Sequence, residues 1–264
     1  MADQRATNFG VNMKIGIIGA GPIGVTLAKK FRGYGYPVKI ANSRGADTLK
    51  SVAKETGAIA TAVRDVVRDV DVVVISIPMK SVADLPKDLF DELAENVVII
   101  DTNNYYPMRD GRIAELDNGK IESRYVSEHI GRPVIKAFNN MLSQFLSTEG
   151  KVGGADGRLA LPVAGDDATA KRTVLELVDV AGFDGIDAGG IDDSWRQQPG
   201  TPVYCTDYDA DGVRKALARA DRSYAPTARD IVWDEFVKIP PGTDPFVFAG
   251  LVRTISRSKN QRAI

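Results

Sequence analysis

The feature that most constrains the fold is a glycine-spaced segment near the start of the chain. Residues 14–24 read KIGIIGAGPIG, a short apolar run that leads directly into three spaced glycines. This G-x-G-x-x-G spacing between a strand and a helix is typical of folds that bind a dinucleotide. Gly19 permits a tight turn, Gly21 lets the backbone approach a pyrophosphate, and Gly24 lets the helix pack closely against the strand. The predicted pyrophosphate site comprises Gly19, Ala20, Gly21, Pro22, Ile23 and Gly24.

A second signal follows the next predicted strand, residues 38–41, and concerns which dinucleotide is bound. NAD enzymes usually place Asp or Glu there to accept a hydrogen bond from the ribose 2′-hydroxyl. This chain has Asn42, Ser43 and Arg44 instead, with Lys50 further along. These side chains can donate to a 2′-phosphate, and the arginine adds a charge-assisted bond. We therefore predict NADP(H); the alternative is a polar loop in which Ser43 caps a helix and Arg44 is solvated.

Apolar strand-like runs alternate with helical patterns, which indicates a parallel sheet built from βαβ units. The predicted strands are residues 14–18, 38–41, 58–61, 71–78, 97–101, 134–138, 159–163 and 183–187. Helices are predicted between them, including residues 81–94 and 168–180. The fold class is therefore α/β: a Rossmann-type, doubly wound, mostly parallel sheet of about eight strands, with a short C-terminal cap. We expect the last two strands to extend the sheet.

The composition sets the domain organisation and excludes several classes of partner. With 264 residues and a net charge of −1, the chain gives no electrostatic reason to expect a nucleic acid or a membrane as partner. A single cysteine, Cys205, excludes an internal disulfide framework and a cysteine-rich metal site. We predict a tail at 1–12, an NADP-binding Rossmann domain at 13–190 and a cap at 191–264 that serves the acceptor site or a dimer contact. Because residues 1–12 lack the apolar core of a signal peptide, we expect a cytoplasmic location.

Polar and small residues follow three of the predicted strands, where ligands lie in an open parallel sheet. Ser76, Ile77 and Pro78 end the fourth strand and should form a wall beside the nicotinamide. Two pairs of asparagines at neighbouring strand ends favour a site, although a single asparagine there is more often a turn residue. These amides, with one small neighbour, are Asn103, Asn104, Ala137, Asn139 and Asn140.

Acid–base groups are scarce in this predicted site. The single histidine, His129, lies in a predicted helix and is expected at the surface or at the end of that helix. No metal-ligand spacing is evident. Such a site suits hydride transfer between NADPH and a flavin-like acceptor, because the two cofactors carry the reaction and the protein aligns them. Pro78 and Asn139 are the residues we expect to align the hydride.

An unusual loop follows the last predicted strand. Residues 192–205 concentrate aromatic and donor side chains, among them Trp195, Arg196, Tyr204 and Cys205. In one interpretation Trp195 stacks on the acceptor and Arg196 holds an anionic group of it. In the other, the loop is a structural clamp or a dimer contact, and Cys205 is a small buried apolar residue.

Taken together, these motifs resemble the F420-dependent NADP oxidoreductases, which are related to the NADPH-binding domain of STEAP ferric reductases. The resemblance covers residues 13–190 and is carried by the segments 17–24, 42–44, 76–78, 136–139, 163–167 and 187–189. It implies that residues 42–44 bind the 2′-phosphate and that a deazaflavin stacks on the nicotinamide. The cleft would lie between the main fold and the C-terminal part, lined by Ile77, Pro78 and residues 137–139. It also implies a homodimer.

One departure from the family pattern concerns the acceptor. Archaeal F420 enzymes carry histidine where this chain has Asn139. The predicted function is hydride transfer between NADP(H) and a planar small-molecule acceptor, either coenzyme F420 or a flavin such as FMN or FAD. The alternatives are an NADPH-driven flavin or ferric reductase, and an NADP(H)-binding redox sensor without turnover.

Overall fold

The computed structural model describes residues 13–261, with side chains placed through residue 256. The predicted tail, residues 1–12, lies outside the described residues. Within them, the strands are β1 (Ile15–Ile18), β2 (Val38–Ala41), β3 (Ile59–Ala60), β4 (Val72–Ile75), β5 (Val98–Asp101), β6 (Ile135–Lys136), β7 (Ala160–Val163) and β8 (Asp184–Asp187). Each predicted strand is thus confirmed in place, although several are shorter than predicted.

Helices connect and follow these strands. In the described part of the chain they are α1 (Pro22–Tyr34), α2 (Lys50–Thr56), α3 (Val63–Val66), α4 (Pro107–Asp110), α5 (Ala114–Asp117), α6 (Glu122–Ile130), α7 (Ser143–Thr148), α8 (Ala168–Val180), α9 (Ala210–Ala218), α10 (Ala225–Phe236) and α11 (Pro245–Gln261). Short 3₁₀-helices cover Ala46–Leu49, Met79–Ser81 and Ile191–Gln197. None of the helices within residues 13–261 is long and apolar enough to cross a membrane.

The main sheet is parallel and has the strand order β3-β2-β1-β4-β5-β6. β1 lies at its centre, where Ile15 is paired with Val38 of β2 and with Val72 of β4. Every residue of β1, β4 and β5 is buried, because helices cover both faces, and this explains their continuous apolar sequences. The direction of winding changes between β1 and β4, which is the switch point where ligands bind in Rossmann folds. The predicted fold class is confirmed.

The expectation that the last two strands extend this sheet is wrong. β7 and β8 form a separate two-stranded parallel sheet, and one antiparallel bridge between Lys136 and Ala164 connects it to β6. The reason lies in β6, which is only two residues long. The chain leaves the strand at Phe138, a non-glycine residue with φ +59°. A strand of two residues is too short to form a continuous hydrogen-bonded ladder with β7, and a single bridge forms instead.

Apolar layers fill both faces of the main sheet. On one face, α1 contributes Leu27 and Phe31 and α8 contributes Leu177, and all three are buried against the strands. On the other face, α6 contributes Val126 and Ile130. The sheet is therefore doubly wound, and its carboxyl edge remains the place where loops from several strands meet.

The helix predicted over residues 81–94 does not form. After the 3₁₀-helix Met79–Ser81, the chain runs through successive turns to β5. Pro86 lies in the middle of this segment; it lacks a backbone N–H and disfavours the helical conformation of the residue before it. The apolar residues Val82, Leu89 and Phe90 are nevertheless buried against the sheet. The apolar residues of this segment therefore face the core as predicted, but they do so from a series of turns and not from a helix.

The C-terminal segment packs in two places. α9 covers the small sheet, where its Val213 and Ala216 are buried with Ile186 of β8. α10 and α11 pack on each other and bury Val232 and Phe248 at the carboxyl edge of the main sheet. This second contact brings the last helices beside the strand ends that carry the predicted site.

Candidate functional site

The glycine loop after β1 is closed on two sides and open on the third. Gly19 has φ +117° and its N–H donates to the Ala41 carbonyl at 2.8 Å; a Cβ there would lie 2.0 Å from the Ser76 carbonyl oxygen. A Cβ at Gly24 would lie 2.1 Å from the Gly19 carbonyl oxygen. A Cβ at Gly21 would meet nothing within 4 Å. The loop therefore has a backbone-lined opening at Gly21, where the sequence predicts the pyrophosphate.

The start of α1 supplies the donors for this opening. Gly21 is the N-cap and Pro22 the first helical residue, and no side chain caps the helix. The first N–H groups of a helix have no intrahelical acceptor, so those of this turn face outwards with the positive end of the dipole. No acidic residue occurs in the first turn. A pyrophosphate fits these groups, since its charge meets N–H donors and no opposing carboxylate.

The loop after β2 divides the predicted 2′-phosphate residues into two kinds. Asn42 is occupied within the loop: its Nδ2 donates to Thr48 Oγ1 at 2.9 Å, and its Oδ1 accepts the N–H of Arg44 at 3.0 Å. Ser43 and Arg44 are exposed, and Arg44 has no ion-pair partner in the described part of the chain. Lys50 pairs with Asp47 at 3.0 Å. Asn42 therefore shapes the loop, and Ser43 and Arg44 are the side chains available to a phosphate.

The side chain of Asn103, which follows β5, forms a hydrogen bond to the loop that follows β4. The Oδ1 atom of Asn103 accepts the backbone N–H of Ile77 at 3.0 Å, and the Asn103 N–H donates to Asp101 Oδ1 at 2.8 Å. Its Nδ2 is buried and has no hydrogen-bond partner among the described residues. The structure thus brings Ile77 and Asn103 together as predicted, with Ser76 below them and exposed Pro78 at the end of the loop.

Asn139 is held by its neighbours instead of being free for a ligand. Its Nδ2 donates to Asn104 Oδ1 at 3.0 Å and to the Gln197 carbonyl at 2.8 Å, while its Oδ1 accepts from Gln197 Nε2 at 2.9 Å. Asn140 similarly donates to the Val203 carbonyl at 3.3 Å. The predicted alignment role of Asn139 is therefore limited to shaping the wall, because its amide is already satisfied. Ala137, on the same turn, is fully buried.

A cleft of about 260 Å³ opens beside the start of α1. Its walls come from the ends of β5 and β6, the turn at 204–205 and the two last helices, and none of its lining residues is charged. The lining residues are Pro22, Ile23, Thr102, Asn104, Tyr106, Asn139, Met141, Leu142, Ser143, Tyr204, Cys205, Val232, Trp233, Phe236 and Phe248. Tyr106 and Trp233 lie with ring centroids 4.9 Å apart. An uncharged, aromatic cleft of this kind suits a planar ring system.

Trp195 and Arg196 do not line this cleft. The Arg196 guanidinium lies 4.9 Å from the Trp195 ring, and its Nε is 3.5 Å from Asp193 Oδ1. Trp195 instead lines a separate cavity of about 80 Å³ together with Arg222 and Arg229. The two residues therefore take no part in this cleft, and their surroundings fit the structural-clamp interpretation. Their contact with an acceptor stays a prediction. The same loop does reach the cleft further on, at Tyr204 and Cys205.

His129 has a structural setting. Its Nδ1 lies 2.9 Å from the Tyr125 carbonyl, and the two rings are 4.0 Å apart. Both residues belong to α6, and His129 is in its last turn. The residue therefore lies at a helix end, as the sequence predicted.

A buried charge cluster below the strand ends escaped the sequence analysis. The Lys136 ammonium, fully buried, lies 3.2 Å from Asp101 Oδ2 and 3.8 Å from Glu122 Oε2, and it also donates to the Asn103 carbonyl. Ser123 Oγ donates to Asp101 Oδ2 at 2.7 Å. Through Asn103 the cluster supports the loop at Ile77. The available signal was a lysine inside the apolar run VIKAF, whose position in a buried strand requires a partner.

The protein is expected to lose stability as the pH rises because of Glu122, and the Glu122→Gln variant should not show this loss. Burial raises the pKa of the Glu122 carboxyl from 4.5 to about 7; Lys136 opposes this effect and Asp101 adds to it. Because the folded-state pKa lies above the unfolded value, stability from this group is fully present below pH 4.5 and is lost as the pH rises through 7. The difference corresponds to about 3 kcal/mol of unfolding free energy at pH 8.

Denaturant unfolding at pH 5 and pH 8 measures this effect. The wild-type protein should lose more stability over that interval than Glu122→Gln, and Glu92→Gln, at an exposed position, should behave as wild type. Equal pH dependence in all three proteins would contradict the assignment of the titration to Glu122.

The strand order and the open glycine loop at its switch point define a Rossmann-type dinucleotide-binding protein. The family model described as NADP oxidoreductase, coenzyme F420-dependent, matches residues 14–105. The matched segment includes the glycine loop, residues 42–44 and the ends of β4 and β5. The chain belongs to the F420-dependent NADP oxidoreductase family, as the sequence motifs predicted.

Three individual proteins are similar to this chain. A solved structure of a hypothetical protein, SMa0349, from Sinorhizobium meliloti is 31% identical, with a TM-score of 0.63 over 73% of this chain and 93% of that one. A structure from Arthrobacter sp. FB24, named as an F420-dependent NADP-reductase, is 25% identical, with a TM-score of 0.58 over 69% of this chain and 87% of that one. The protein YjhV of Escherichia coli (strain K12) is 45% identical over 69 residues. That match spans 26% of this chain and half the length of YjhV.

Proposed function

We propose that the protein is an oxidoreductase that transfers a hydride between NADP(H) and a planar, flavin-like acceptor, either coenzyme F420 or a flavin. The observation that carries this proposal is the uncharged aromatic cleft beside the start of α1. It shares Pro22 and Ile23 with the predicted pyrophosphate loop. The cleft is therefore adjacent to one ligand site and shaped for a second, ring-shaped ligand.

The residues of the chain have separate tasks in this proposal. The backbone at Gly21 and the first turn of α1 bind the pyrophosphate, and Ser43 and Arg44 bind the 2′-phosphate. Asn103 fixes the loop at Ile77, which forms one wall for the nicotinamide. The rings of Tyr106 and Trp233 hold the acceptor and exclude water. The bound nicotinamide supplies the hydride, so the task of the protein is alignment of two flat rings.

A panel of acceptors tests the proposal. Purified protein is mixed with NADPH, and loss of the reduced nicotinamide absorbance is followed with F420, FMN, FAD, a ferric chelate or no acceptor. The same series is repeated with NADH. Rapid oxidation with F420 or a free flavin is the expected result. Oxidation with the ferric chelate alone would favour the ferric reductase, and tight binding of NADPH without oxidation would favour the redox sensor.

Arg44→Ala is expected to weaken NADPH binding about 10- to 100-fold and to leave NADH binding unchanged. A charge-assisted hydrogen bond contributes about 1.5–3 kcal/mol, and each 1.4 kcal/mol is a factor of ten in affinity. Equilibrium titration with both nucleotides measures the change. Arg68→Ala removes a similarly exposed guanidinium that pairs with Asp65 and serves as the control. Equal losses for NADPH and NADH in Arg44→Ala would refute a 2′-phosphate role.

A further inference from the structure

Two phenols meet inside the cleft. Tyr106 follows β5, and Tyr204 lies in the turn that precedes α9. Their hydroxyl oxygens are 2.5 Å apart and their rings pack edge to face, with centroids 6.5 Å apart. Both line the cleft, and both are more than nine-tenths buried. Neither residue is part of the predicted NADP site. The function proposed above assigns no role to their hydroxyl groups.

In the structure, the Tyr204 hydroxyl oxygen has two hydrogen-bond donors beside it. Asn104 Nδ2 donates to the Asn139 carbonyl at 2.8 Å, and because a carbonyl only accepts, this contact identifies the nitrogen. The same Nδ2 donates to Tyr204 Oη at 3.3 Å, and Tyr106 Oη donates to it as well. A hydroxyl oxygen has two acceptor sites. With both occupied, the Tyr204 hydroxyl remains a donor, and the group beside it is the Cys205 thiol, a weak acceptor.

These groups keep their protons over the ordinary range of assay pH. Burial raises the pKa of Tyr204 and of Tyr106 well above the usual value for tyrosine. Burial also raises the pKa of the Cys205 thiol to about 12. The cleft therefore holds an oriented, protonated donor that does not act as a base.

We infer that Tyr204 is a catalytic residue that donates a hydrogen bond from its Oη to a nitrogen or oxygen of the acceptor ring. The inference rests on the proposed function. When a hydride, with its two electrons, reaches the electrophilic atom of the central ring, a carbon in a deazaflavin or a nitrogen in a flavin, the conjugated nitrogen or oxygen further along the ring system gains the negative charge. Tyr204 stabilises that charge and keeps its proton, and water protonates the reduced ring afterwards. The acceptor class is thus a conjugated C=N or C=O ring system that takes two electrons at once.

Tyr204→Phe tests the inference. The substitution retains the ring and its packing and removes the hydroxyl, which is the proposed donor and also the acceptor for Asn104 Nδ2 and Tyr106 Oη. With F420 as acceptor, or FMN if the wild-type protein prefers it, kcat should fall about 100-fold, the effect of removing one preorganised donor from a developing negative charge. The dissociation constant for NADP⁺ should stay unchanged. Tyr34→Phe, at an exposed position on α1, is the matched control and should behave as wild type.

A binding measurement separates this role from simple packing. The oxidised and the reduced forms of the same acceptor are titrated anaerobically into the wild-type protein and the Tyr204→Phe variant. Hydrogen bonds to a charged acceptor are about twice as strong as neutral ones. The variant should therefore lose at least tenfold more affinity for the reduced form than for the oxidised form. A residue that only packs against the ring would weaken both forms equally.

Three results overturn the inference. These are a kcat within threefold of wild type, equal weakening of both acceptor forms, or a parallel loss of NADP⁺ affinity that reveals a collapsed cleft. If the wild-type protein reduces none of the acceptors in the panel, the proposed function itself fails and this inference fails with it. Turnover by the wild-type protein together with an unaffected variant refutes the role of Tyr204 alone.

Discussion

Replacing Lys136 with methionine should lower the free energy of unfolding by about 3–5 kcal/mol, the usual cost of breaking a buried ion pair. Methionine retains most of the length of the side chain, so little volume is lost. The charge is lost, and within residues 13–256 the fully buried Asp101 side chain then keeps Ser123 and the N–H of Asn103 as its only partners. Glu122, 3.8 Å from the ammonium, loses its counter-charge as well.

Thermal and denaturant unfolding measure this change. For a protein of this size the melting temperature should fall by about 10 °C. Lys29→Met is the control, because Lys29 is exposed and lies 4.0 Å from Glu55, a pair expected to contribute less than about 1 kcal/mol. If Lys136→Met unfolds at the same temperature as Lys29→Met, the buried cluster is not a major source of stability.

Gly21→Ala should leave the fold intact and weaken NADPH binding about 100-fold. The backbone at Gly21 has φ −80° and ψ 179°, which alanine adopts without strain, and a Cβ there meets no atom within 4 Å. The methyl group would instead occupy the opening assigned to the pyrophosphate. Loss of one or two charge-assisted hydrogen bonds from the first turn of α1, at about 1.5–3 kcal/mol each, accounts for the factor.

Two other alanine substitutions in α1 serve as controls, one for binding and one for folding. Gly33→Ala adds the same methyl group at another position with open space around it, and it should bind NADPH as wild type does. Gly24→Ala should destabilise the protein, because its Cβ would lie 2.1 Å from the Gly19 carbonyl oxygen. Titration with NADPH and unfolding curves, measured on all three variants, separate binding from folding. A Gly21→Ala variant that binds NADPH normally would remove the pyrophosphate from this loop.

Much of the fold could be predicted from the sequence because its signals are local. The glycine spacing, the apolar runs of the central strands and the helix at 168–180 each depend on residues close together in the chain. The separate two-stranded sheet could not be predicted in this way. It depends on how the chain turns at Phe138, and a positive φ at a phenylalanine leaves no pattern in the sequence. The turns at 81–94 differ from the predicted helix because Pro86 disfavours a helix in a segment whose apolar spacing is helical.

The candidate site shows the same division. Gly19, Gly21 and Gly24 have surroundings that match their predicted tasks, since the motif itself describes a backbone shape. Asn42 and Asn139 were expected to face a ligand, but their partners, Thr48 and Gln197, are set by tertiary packing. The cluster around Lys136 and the phenol pair join residues that are distant in the chain. The predicted homodimer and the acceptor stay predictions.

Cys205 in the cleft wall and Phe138, the residue before Asn139 of that wall, have a backbone conformation that favours glycine. Phe138 has φ +59° and Cys205 has φ +52°, and the Cys205 N–H donates to the Asn140 carbonyl at 2.7 Å. Such positions cost about 1–3 kcal/mol each and persist only where the surrounding structure enforces them. These two positions therefore lower the free energy of unfolding, and both lie beside the expected acceptor site. Selection for thermostability alone would favour substitutions at Phe138 and Cys205, and such substitutions would change the shape of the cleft.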